Sequence, residues 1–83
     1  MTPFALDLGV IRAKIRHKLA LEGLPKAHCE VLGIGPGTGR RCDACDRELT
    51  DTDVECECRT PDGRLIRFHK QCLALWKEER ERA

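Results

Sequence analysis

The pattern that most constrains this chain is Cys42-Asp43-Ala44-Cys45, followed after 23 residues by His69-Lys70-Gln71-Cys72. Cys-x2-Cys and His-x2-Cys each place two ligands across a tight turn, where both side chains can aim at one point. Together they offer three thiolates and one imidazole, the number and kind of ligands a structural Zn²⁺ takes in a tetrahedral site. One Zn²⁺ per chain is therefore expected on Cys42, Cys45, His69 and Cys72. Such a site carries a net charge of −1, which Arg40, Arg41 and Arg47 are placed to offset. Chemistry of this kind says what holds a chain together, and says little about what the chain does.

Size makes the staple necessary. Eighty-three residues form one small domain at most, near the length at which an apolar core alone barely suffices. Large core formers are sparse, with two Phe, one Trp, no Tyr and one Met. Six cysteines could also make a secreted disulfide framework. Arg12, Lys14, Arg16 and Lys18 interrupt the start too early for the apolar stretch of a signal peptide. No run approaches the roughly 18 apolar residues of a membrane span. The expectation is a cytoplasmic chain with reduced thiols and a metal site.

The net charge of +1 demands no nucleic-acid or membrane partner. It hides an asymmetry. Residues 1–41 hold seven Lys and Arg against three Asp and Glu, a net of +4, while residues 42–83 hold eight against eleven, a net of −3.

Residues 1–5 are expected to fray. From about Asp7 to Glu22, Leu8, Ile11, Ile15 and Leu19 recur at helical spacing, with Gly23 and Pro25 as stop signals. The stripe reads as an amphipathic helix docked on the domain. Its basic residues Arg12, Lys14, Arg16 and Lys18 are the candidate partner-binding set. Lys26 to Gly39 reads as a connector, loosest at Gly33-Ile34-Gly35-Pro36-Gly37-Thr38-Gly39. A phosphate-loop reading of that stretch fails, because no Lys-Ser/Thr follows the last Gly and no strand leads in. His28 and Cys29 read as loop residues. The organisation is thus a helix and Gly-rich connector over 1–39, then a zinc-finger-like module over 40–83, together one compact domain.

Residues 53–69 read as a β-hairpin. Pro61 and Asp62 suit a type I turn, and Gly63 suits a following position with positive φ, which closes a three-residue loop and pairs Thr60 with Arg64. Counting outward sets Cys58 opposite Ile66, Glu57 opposite Arg67, Cys56 opposite Phe68 and Glu55 opposite His69. Every pair is then apolar with apolar or acid with base. Cys56 and Cys58 share a face with Val54, Ile66 and Phe68, opposite to that of His69, and read as core thiols. The alternatives are that one of them replaces His69 as a ligand, or that they serve a second metal. From Lys70 to Arg82 the chain reads as helix, with Cys72 in its first turn and Trp76 one turn on. Its charged end, from Lys77, reads as a solvated face.

Knuckle, hairpin and a helix carrying the last ligand resemble a treble-clef zinc finger. Cys42-x2-Cys45, 23 residues, then Phe68-His69-x2-Cys72 also resembles the first zinc module of a LIM domain, across residues 40–77. No second ligand set follows Cys72, and Asp46 stands where many such knuckles carry Gly. Gly37-Thr38-Gly39 before the knuckle and Trp76 after Cys72 make the chain similar to small bacterial CxxC…HxxC proteins of unassigned function. The resemblance implies a small α+β fold with one metal.

Four protein ligands leave a metal no open position, and no base or nucleophile constellation lies elsewhere, so an enzyme is not expected. The leading expectation is a protein-interaction or regulatory module with a protein partner. The alternative is a nucleic-acid-binding zinc finger that uses the basic helix, although no aromatic stacking set accompanies it.

Overall fold

The computed structural model describes residues 8–82. The expectations for residues 1–5 and for Asp7 lie outside them. Helix α1 spans Leu8–Ala20, and strands β1 (Glu30–Pro36), β2 (Val54–Arg59) and β3 (Leu65–His69) precede helix α2 (Lys70–Arg82). The strands form an antiparallel sheet in the order β1-β2-β3.

Ile11, Ile15 and Leu19 of α1 are buried at intervals of one helical turn, but Leu8, expected in the same stripe, is 49% exposed. The helix stops one residue earlier than Gly23 suggests. Glu22 takes the left-handed conformation (φ 62°), while Gly23 N–H bonds Lys18 O at 2.8 Å and Glu22 N–H bonds Leu19 O at 3.2 Å. Those two bonds make a Schellman motif with a non-glycine residue at its strained position.

The β2–β3 hairpin has the register that its turn chemistry predicts. Cys58 faces Ile66, Glu57 faces Arg67, Cys56 faces Phe68 and Glu55 faces His69. Gly63 has φ 91°, and Thr60 N–H bonds Arg64 O at 2.9 Å.

The Gly-rich connector is a correction. Residues 30–36 form β1, paired along β2 with Val31 opposite Cys58 and Ile34 opposite Cys56, and with a bulge between Val31 and Gly33. Beyond the strand the chain is packed, not loose. Gly37 N–H bonds Asp53 O at 3.1 Å and Gly39 N–H bonds Leu49 O at 2.8 Å. A Cβ on residue 37 would lie 1.9 Å from Thr50 O, so only glycine fits there. Glu55, itself buried, holds the same turn by accepting from Thr38 N–H (3.0 Å) and Thr38 Oγ1–H (2.8 Å).

One apolar core runs across residues 11–76 and joins the N-terminal part to the finger-like part. Phe68 of β3 stacks on Trp76 of α2, with ring centroids 5.2 Å apart. Trp76 Nε1–H donates to Pro25 O at 3.1 Å, and the Arg80 guanidinium lies 4.6 Å over the indole ring. The charged end of α2 is therefore more than a solvated face. Glu79 is only 3% exposed and accepts from Arg12 Nη1 (2.8 Å) and Arg16 Nε (2.7 Å), tying α1 to α2. Hydrogen bonds from Arg16 and then Arg12 hold its carboxyl down at about 2. On the sheet side, α2 contacts β2 and β3. Val31, Leu32 and Ile34 of β1 and Val54 of β2 remain exposed, Ile34 at 65%.

Candidate metal centre

Residues 40–49 close on themselves as a small hairpin. Leu49 N–H bonds Arg40 O (2.7 Å), Arg41 bridges Glu48, Cys42 N–H bonds Arg47 O (2.9 Å) and Asp46 N–H bonds Cys42 O (2.9 Å). Asp46 makes the tight return with φ 66°, a conformation that Asp tolerates better than most non-glycine residues. Its carboxylate accepts from Lys18 Nζ at 2.5 Å. The knuckle is locked onto β3 through Asp43, whose N–H bonds Arg67 O and whose Oδ2 accepts from Arg67 N–H, both at 2.7 Å. His69 ends β3 and Cys72 lies in the first turn of α2, so three elements deliver the four side chains.

The ligand atoms of Cys42, Cys45, His69 and Cys72 all lie within 4.8 Å of one another, and the three cysteines are buried. His69 Nδ1 is 3.4 Å from Cys45 Sγ and 4.0 Å from Cys72 Sγ. A tetrahedral ion with bonds of about 2.3 Å to sulfur and about 2.0 Å to nitrogen needs ligand–ligand edges of about 3.5–3.8 Å. The four residues are placed to bind one metal ion. Among the described residues no other group of three such side chains converges in this way.

Electrostatics within the cluster points the same way. Hydrogen bonds from the thiols of Cys42 and Cys72 push the Cys45 thiol far down, and the Arg47 backbone N–H adds to this. The same sharing pushes Cys72 far up and Cys42 up, because a second thiolate beside the first is repelled. A backbone N–H from His69 points at Cys42 Sγ at 3.5 Å. Thiols must lose their protons to hold a metal, so binding at such a cluster is coupled to proton release.

Beyond the ligands, Asp53 Oδ2 lies 3.3 Å from His69 Nε2 and also accepts from Thr50 N–H (2.8 Å) and Thr50 Oγ1 (3.0 Å). The backbone N–H of Thr50, ahead of the other groups, lowers the Asp53 carboxyl below its ordinary range. A carboxylate on Nε2 orients the ring so that Nδ1 faces the three sulfurs.

Cations of α1 reach the knuckle in addition to the arginines expected there. Arg40, Arg41 and Arg47 have exposed side chains, whereas Lys14 Nζ bonds Cys45 O (3.2 Å) and Lys18 Nζ bonds Asp43 O (2.9 Å). The candidate partner-binding residues of α1 thus meet partners within the chain, Arg12 on Glu78 and Glu79, Arg16 on Glu79, and Lys14 and Lys18 on the knuckle. Cys56 and Cys58 are fully buried on the sheet face with Phe68 and Ile66, and burial pushes both thiols up, Cys58 to about 12. Cys29 lies in the loop before β1, as expected, and is buried beside Cys58, whose thiol it helps to push up. The roles of Asp53, Lys14 and Lys18 went unread because their partners lie 16 to 31 residues away. The run Thr50-Asp51-Thr52-Asp53, a local turn signal, was the trace of the first.

Among the described residues no helix is long and apolar enough to cross a membrane. No family model, curated protein or solved structure matches the chain at a significant level of similarity.

Proposed function

We propose that this chain is a structural-zinc module of treble-clef-like design that serves as a protein-interaction or regulatory platform. The observation that carries the reading is the convergence of Cys42, Cys45, His69 and Cys72 from the knuckle, β3 and α2. Three thiolates and an imidazole favour Zn²⁺ among common divalent ions. Four protein ligands suit a structural role, since they leave no position for water. Six free thiols fit a reducing compartment such as the cytoplasm. The exposed apolar side chains of Val31, Leu32, Ile34 and Val54 on the neighbouring strands β1 and β2 support a protein partner, because clustered apolar surface marks interaction sites. Nucleic-acid binding has less support, since Arg12 and Lys18 are committed to carboxylates within the chain.

The test uses the immobilised, zinc-loaded chain. Protein capture should fall when a chelator removes the metal and when Ile34→Arg is introduced, while the helical circular dichroism of that variant stays unchanged. Equal capture after chelation would contradict the platform reading.

A further inference from the structure

We propose that a second site, a basic cavity between α1 and the end of α2, docks an acidic segment of the partner; the inference rests on the protein-interaction reading above. The cavity has a volume of about 550 Å³ and is lined by Arg16, Leu19, Ala20, Lys26, Glu79 and Arg82. That volume lies within the roughly 300–1,000 Å³ typical of ligand sites.

Its charge is unbalanced. Glu79 is the one carboxylate in the lining, and it is already shared between Arg12 and Arg16. Arg16 spends only its Nε on that bond, and its two terminal nitrogens bond no other described residue, which leaves them as donors. Lys26 and Arg82 make no direct ion pair among the described residues, although the charge of Arg82 helps to lower the Glu79 carboxyl. Three cations therefore surround a wall formed by Leu19 and Ala20. A glutamate side chain matches that combination, with an aliphatic stem for the wall and a carboxylate for the guanidinium forks.

A phosphate backbone matches it less well. It needs a run of cations, and the other basic residues of α1 are turned to Glu78, Glu79, Asp46 and the knuckle carbonyls. Among the described residues the aromatic rings, those of Phe68 and Trp76, are fully buried and cannot stack on bases. The sequence showed Arg16 as part of a basic stripe. The fold instead takes Arg16 out of that stripe and groups it with Lys26 and Arg82.

The experiment titrates the zinc-loaded, ¹⁵N-labelled full chain with an octaglutamate peptide, and separately with a single-stranded DNA octamer, at low salt. Glutamate peptide should shift the amides of Arg16, Leu19, Ala20, Lys26 and Arg82. The double variant Lys26→Gln/Arg82→Gln should weaken peptide binding at least about tenfold with zinc content and helical circular dichroism unchanged. Arg59→Glu, on an exposed position of β2, should leave the affinity unchanged. Shifts confined to other residues, or an unaffected double variant, would overturn the site. Tighter DNA binding lost in the same double variant would replace the acidic peptide with nucleic acid. A failed cavity with zinc retained and Ile34-dependent capture intact removes this inference alone. Capture that survives zinc removal removes the platform reading itself.

Discussion

Two groups of three cysteines share this small core and meet opposite fates. Cys42, Cys45 and Cys72 come from a tight knuckle and a helix start, and their sulfurs converge on His69 Nδ1. Cys56, Cys58 and Cys29 lie on or beside one face of the sheet, also buried, and gather no fourth ligand among the described residues. Burial is common to both groups, so burial does not make a ligand. What differs is direction and backbone support. In the first group the thiols act on one another: hydrogen bonds from Cys42 and Cys72 push Cys45 down while Cys42 and Cys72 are pushed up, and N–H groups of Arg47 and His69 point at the sulfurs of Cys45 and Cys42. In the second group desolvation dominates and pushes Cys56 and Cys58 up. A strand sends alternate side chains to opposite faces, which keeps Cys56 and Cys58 away from the face of His69.

The strongest way to break this comparison is to exchange the two fates. Cys72→Ser or Cys42→Ser should abolish stoichiometric metal and unfold much of residues 40–77, because metal binding free energy on the order of 10 kcal/mol is folding free energy in such sites. Circular dichroism with metal analysis reads both effects, and a folded, metal-loaded Cys72→Ser chain would erase the distinction.

Asp53→Asn sharpens the comparison, since it leaves the sulfurs alone and weakens only the support of the imidazole. Metal affinity measured by chelator competition should fall about 10- to 100-fold with the fold retained. An unchanged affinity would mean that packing alone orients His69.

Cys58→Val should cost only about 1–2 kcal/mol and keep the metal. Its pH signature follows from the raised thiol. The folded-state value near 12 exceeds the ordinary 9.0, so this contribution is fully present below about pH 9 and is lost as pH rises from there toward 12. Cys58→Val should therefore flatten the alkaline fall in stability, as read from denaturant midpoints at stepped pH. An identical alkaline slope would show that Cys58 ionises freely in the fold.

Glu22→Gly has the smallest expected effect. Relief of a left-handed non-glycine residue should raise stability by about 0.5–1 kcal/mol, visible as a shift of a few degrees in the melting temperature.

The same contrast explains what could be read in advance. The two Cys/His pairs that converge and the hairpin register were legible because each rests on local spacing. Two-residue spacings set the first, and Pro61-Asp62-Gly63 with matched cross-strand pairs sets the second. Strand β1 was hidden because Gly33, Gly35, Pro36 and Gly37 speak for a loop, and only pairing with β2 makes them extended. Gly37 is present for a contact with the Thr50 carbonyl, which lies 13 residues on and leaves no local trace. Arg12, Lys14 and Lys18 read as an outward partner-binding set and Glu79 as part of a solvated face for the same reason. Their partners lie 25 to 67 residues away in the chain. Leu24 and Leu49, both buried, belong to no periodic run at all.

The most direct test of the central claim is native mass spectrometry with elemental analysis on protein purified without chelator, comparing the unaltered chain, the Cys56→Val/Cys58→Val variant and His69→Ala. One zinc ion per chain is predicted in the first two, with loss or severe depletion in the third. Zinc lost from the Cys56→Val/Cys58→Val variant and retained in His69→Ala would contradict the account, because the ligands would then lie on the other face of the hairpin.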